Sequence, residues 1–71
     1  MGGIAGIPHR KAVRALKRAG FKVAREGRKH IVMSVGARIL TVPRNNPINA
    51  FTMAGIVRDA GLTEEQFRKL L

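Results

Sequence analysis

Gly36-Ala37 separates two runs rich in β-branched and apolar residues, His30 to Val35 and Arg38 to Val42. This two-residue gap constrains the fold more than any other feature of the chain. A loop that short joins its strands as an antiparallel hairpin, with glycine at the position needing a positive φ. Just upstream, Phe21, Val23 and Arg25 alternate with Lys22 and Ala24, and Gly27-Arg28 offers a second turn. Three short strands in an antiparallel meander follow, the last closed by Pro43.

Helical patterns flank the meander. Pro8 suits a first helical turn, where its missing N–H costs nothing. Behind it Ala12, Val13, Leu16 and Ala19 recur at three- and four-residue spacing, and Lys11, Arg14, Lys17 and Arg18 fill the other face. With Gly20 as the stop, the pattern predicts an amphipathic helix over residues 8–19 with a cationic exposed side. Residues 44–49 read as a loop. Thr52 is expected to cap a helix from Met53 to Ala60, stopped by Gly61, with Met53, Ile56 and Val57 facing the core. Thr63-Glu64-Glu65-Gln66 has the capping-box pattern and starts a last helical segment carrying Phe67, Leu70 and Leu71. The expected fold class is α+β, in the order α-β-β-β-α-α. A three-stranded antiparallel sheet is packed by helices on one face.

A chain of 71 residues makes one small domain with a modest core. Without cysteine it has neither a disulfide framework nor thiolate metal ligands, and its two histidines and four carboxylates show no metal-ligand spacing. No metal and no small-molecule cofactor are expected. No stretch approaches the roughly 20 apolar residues of a membrane helix, so no membrane partner is expected either. Residues 1–7 lack the basic start and apolar core of a signal peptide and read as a flexible lead-in to a single domain over residues 8–71. A cytoplasmic location is the expectation. There is no phosphate-binding glycine loop and no Ser-His-Asp set.

Charge points to a partner. The net charge is +10, and eleven Lys and Arg residues precede Asn45 against one acid, Glu26. Such a basic half is the footprint of a nucleic-acid binder or of a protein that meets an acidic partner. Arg14, Lys17, Arg18, Lys22, Arg25, Arg28 and Lys29 are the candidate nucleic-acid-binding residues. His30 follows Arg28-Lys29 at the head of an apolar strand, and imidazole is the side chain suited to proton transfer near neutral pH. A histidine among cations is placed to meet a phosphodiester, as a catalytic base or simply as a hydrogen-bonding strand-end residue. His9, at a helix start, is expected to be exposed and is assigned no chemistry. Phe21 and Phe67 are expected in the core, with Phe51 open to either environment.

From Pro8 to Leu71 the chain resembles the HicA family of small bacterial toxins. The resemblance rests on Leu16-Lys17-Arg18-Ala19-Gly20-Phe21, on His30-Ile31-Val32-Met33, on Thr41-Val42-Pro43, and on Phe51-Thr52-Met53 with Ala60-Gly61-Leu62, in that order. It implies a fold similar to the double-stranded RNA-binding domain and cleavage of mRNA with His30 as the catalytic residue. The same resemblance makes RNA the nucleic acid expected on Arg14, Lys17, Arg18, Lys22, Arg25, Arg28 and Lys29. It also implies neutralisation by a HicB-like antitoxin. The chain departs from the family pattern where Arg28-Lys29 replaces the usual Gly-Ser before the histidine, where Met33 replaces an aromatic, and where Phe51 replaces a glycine. These departures keep a second reading in play, a non-catalytic module of the same fold that binds double-stranded RNA.

Overall fold

The computed structural model describes residues 6–71. Helix α1 (His9–Arg18) leads into strands β1 (Lys22–Glu26), β2 (His30–Val35) and β3 (Arg38–Pro43), followed by α2 (Ala50–Asp59) and α3 (Glu64–Leu70). The sheet order is β1-β2-β3, antiparallel throughout. Gly36 (φ 56°) and Ala37 form the two-residue loop closed by the Val35–Arg38 pair, as the sequence requires. The helices cover one face, with α1 and α2 against β3, and α3 against both helices. The α+β fold class and its element order therefore stand.

One device ends both long helices. After α1, Phe21 N–H donates to the Leu16 carbonyl (3.0 Å) and Gly20 N–H to Lys17 (2.9 Å). After α2, Leu62 N–H donates to Val57 (3.1 Å) and Gly61 N–H to Arg58 (3.0 Å). Both are Schellman motifs, which require a left-handed residue, and Gly20 (φ 105°) and Gly61 (φ 78°) supply it. The apolar residue after each glycine then folds back on the helix. Phe21 and Leu16 are both buried, and this is the physical content of the Leu-x-x-x-Gly-Phe pattern.

The core gathers Ala12, Ala15 and Leu16 from α1, Ile31 and Met33 from β2, and Leu40 and Val42 from β3. Met53, Ile56 and Val57 join from α2 and Phe67 from α3. Both the Phe21 and Phe67 placements hold, and Phe51 is 91% exposed. The capping box of α3 forms as expected. Gln66 N–H donates to Thr63 Oγ1 at 3.0 Å, and Thr63 N–H donates to Gln66 Oε1 at 2.9 Å.

Four local expectations need correction. Pro8 is the N-cap of α1 and not its first turn. The cap of α2 is Asn49, whose Oδ1 accepts from Thr52 N–H at 2.8 Å, so the helix starts three residues earlier than Met53. Asparagine caps at least as well as threonine, and Thr52 becomes the residue whose N–H is capped. The strict alternation of β1 is broken between Val23 and Arg25 by a β-bulge, which leaves Arg25 opposite Val32. Ile7, at the end of the expected lead-in, belongs to the fold: it is buried and exchanges two backbone hydrogen bonds with Ile48, at 3.0 and 2.7 Å. Of the rest of the lead-in, Gly6 is exposed and residues 1–5 lie outside the described residues.

Candidate nucleic-acid interface

Strand β2 sorts its side chains by the two-residue period of a strand. Ile31 (3% exposed) and Met33 (0%) enter the core, which leaves His30, Val32 and Ser34 on the face without helices. His30 is exposed at the strand's first position, paired with Pro43 of β3. Arg25, Gly27, Arg28, Lys29, His30, Val32 and Thr41 line a depression of about 300 Å³ on this face. Arg25 belongs to it through the bulge, since a regular strand would turn that side chain toward the helices.

The turn that presents Arg28 and Lys29 is held from both sides. Gly27 N–H donates to the His30 carbonyl at 2.8 Å. A Cβ on Gly27 would lie 3.1 Å from that same oxygen, so any larger residue there would push the His30 carbonyl back by a few tenths of an ångström. Arg44 reaches across from the end of β3. Its Nε donates to the Gly27 carbonyl (2.9 Å), its backbone N–H donates to the Lys29 carbonyl (2.9 Å), and its Nη2 meets Glu26 Oε1 at 3.4 Å.

The other predicted RNA-binding residues are dispersed. Lys22 pairs with Ser34, on the face of His30 but at the far end of β1. Arg18 donates to the carbonyls of Leu70 and Leu71 at 2.8 and 3.3 Å and so ties α1 to the end of α3. Arg14 and Lys17 lie on the helix side of the sheet. There they line a groove of about 390 Å³ with His9, Arg10, Val13, Val23, Glu26, Ile31 and Arg44. The helix cations and His30 thus occupy opposite faces of the sheet.

His9 is the residue that sequence reasoning missed. It is half-buried and not simply exposed, with Nδ1 2.7 Å from the Pro43 carbonyl and its backbone N–H donating to Asn46 Oδ1 at 2.9 Å. A carbonyl can only accept, so Nδ1 carries the proton and Nε2 is left for another partner. Nothing near His9 in the sequence signals this contact, because Pro43 is distant along the chain. No group of His, Asp or Glu among the described residues could hold a metal ion. No helix among them is long and apolar enough to cross a membrane.

Residues 9–62 match the family described as HicA toxin of bacterial toxin-antitoxin systems. The chain belongs to the HicA toxin family. The match runs from the first residue of α1 through the glycine stop of α2, and so includes the whole sheet and both depressions. No curated protein matches the chain. Membership of the HicA family assigns a toxin role, and with it an antitoxin as partner.

Proposed function

We propose that this HicA-family toxin binds mRNA and cleaves it with His30, and that a HicB-like antitoxin neutralises it by covering the His30 depression. The observation that supports this reading is the exposed imidazole at the head of β2, in one depression with Arg25, Arg28 and Lys29.

Cleavage of RNA without a metal uses the substrate's own 2′-hydroxyl. His30 takes the proton of that hydroxyl as O2′ forms a bond to phosphorus, and the bond from phosphorus to the 5′-oxygen breaks. The leaving oxygen takes a proton from water, which reaches the exposed site freely. The products are a 2′,3′-cyclic phosphate and a 5′-hydroxyl. Charge gathers on the phosphoryl oxygens in the transition state, where Arg25 and Arg28 offer bidentate contact and Lys29 a point charge. Arg28-Lys29 adds two cations where the family pattern has uncharged residues. An acidic antitoxin surface is the complement of such a site.

The test incubates the purified chain and its His30→Ala variant with a single-stranded RNA in the presence of a chelator. Cutting by the parent alone, leaving a cyclic phosphate end, is the expected result. Binding without cutting by either protein would replace this reading with the non-catalytic RNA-binding module.

A further inference from the structure

The groove on the helix side has a composition that the His30 reading does not use. Its rim carries Arg10, Arg14 and Lys17 from one face of α1, together with Arg44 and the half-buried His9. Arg10, Arg14 and Lys17 make no side-chain hydrogen bond or ion pair with the described residues, in contrast to Arg18 and Arg44. The one acid, Glu26, is already opposed by Arg44 at 3.4 Å. The floor is apolar, made by Val13, Val23 and Ile31.

The groove also adjoins the His30 depression around the end of the sheet. His9 holds the carbonyl of Pro43, and Pro43 pairs with His30. Arg44, on the groove's rim, grips the turn that carries Arg28 and Lys29. The two depressions thus meet at one end of the sheet, joined through Pro43 and the Gly27–Lys29 turn.

We propose that the groove between α1 and β1 holds a second nucleotide of the RNA strand, its phosphate on Arg10, Arg14 and Lys17 and its base or ribose on Val13 and Val23. His9 Nε2, set by the bond from Nδ1 to Pro43, hydrogen-bonds that nucleotide. An aliphatic floor can bury the apolar face of a base or ribose, and arginines without a partner suit a phosphate. The inference rests on the RNA-binding half of the proposed function and is independent of its cleavage half.

The test uses the full chain carrying His30→Ala, so that the RNA probe stays intact. Binding of a short fluorescent single-stranded RNA is followed by anisotropy across a salt series, with Arg14→Gln and Lys69→Gln added separately. Both remove one positive charge, and Lys69 lies on α3 outside the groove. Arg14→Gln is expected to weaken binding about tenfold, the loss of one charge-assisted hydrogen bond. It should also reduce the salt slope by about 0.7, the value for one phosphate contact on a single strand. Lys69→Gln should change affinity less than about twofold, its charge being exposed and screened.

In the His30→Ala chain, the methyl resonances of Val13 and Val23 should move as RNA is added, which reports the groove without relying on a further substitution. Equal losses from the two charge variants, or methyls that stay still while RNA binds, would overturn the proposal. RNA binding by His30→Ala with groove signals, but no cleavage by the parent, would sink the catalytic reading and leave this one standing. No RNA binding at all would remove both.

Discussion

The two depressions at this end of the sheet are built in opposite ways. The His30 depression comes almost entirely from one contiguous stretch, Arg25 to Val32, completed by Thr41. The groove beside α1 draws on residues from His9 to Arg44, brought together by packing of the helix over the sheet. The first is a hairpin end, and its chemistry can be seen in the order of its residues. The second exists only once Leu16, Ala12 and Ala15 are buried, and no local pattern announces it.

The sharpest way to separate the two is to remove one chemistry and keep the other. His30→Ala should lower the RNA cleavage rate by about 10²–10⁴-fold, the usual worth of a positioned general base. Affinity for uncut RNA should change little, since the cations remain. A variant that cleaves at more than a tenth of the parental rate would show that the hairpin end is not the catalytic part.

Next in size is the dependence on packing. Leu16 is fully buried on α1, and Leu16→Ala should cost about 2–5 kcal/mol in urea unfolding. On the bare face, Ile39 is 66% exposed, and Ile39→Ala should stay within about 0.5 kcal/mol. Similar costs at the two positions would mean that α1 is not held as described, and the groove with it.

A smaller effect belongs to the helix stop. Gly20 has φ 105° and open space where a Cβ would stand, so Gly20→Ala carries backbone strain without a clash. The expected loss is about 1–2 kcal/mol by thermal or urea unfolding. An unchanged midpoint would show that the turn into β1 relaxes readily. Smallest is Arg44→Met, which cuts the exposed contact to Glu26 and the bond to the Gly27 carbonyl. Surface pairs of this kind contribute well under about 1 kcal/mol, so stability should barely move. Cleavage should fall further than stability does, because the turn bearing Arg28 and Lys29 loses one of its holds.

Much of the fold was legible because its signals are local. The strand starting at His30, the Gly36-Ala37 loop, the glycine stops at Gly20 and Gly61, and the Thr63–Gln66 box each depend on residues a few positions apart. What was not legible depends on competition or on distance. Asn49 and Thr52 are both good caps, and local sequence does not rank them; Asn49 Oδ1 takes the Thr52 N–H and starts the helix about one turn earlier. The bulge in β1 is dictated by its pairing to β2 and has no mark in Lys22-Val23-Ala24-Arg25. Ile7 reached the core through Ile48, and His9 reached Pro43, over separations that no spacing rule spans. Of the candidate site, the sequence singled out the histidine and its adjacent cations. It did not reveal that Arg14 and Lys17 would be parted from them by the thickness of the sheet.

That bulge has a consequence for the signs of the charges. Val23 pairs with Met33 and, after the irregularity, Glu26 pairs with Ile31 on the helix side. In an unbroken ladder from the Val23–Met33 pair, Arg25 would stand opposite Ile31 and Glu26 opposite His30. The carboxylate would then share a face with the imidazole and repel any phosphate brought to it, and the guanidinium would point under the helix. One additional residue in a five-residue strand thus works as a charge sorter, leaving the histidine's side of the sheet to cations and setting the lone acid of the basic half behind it.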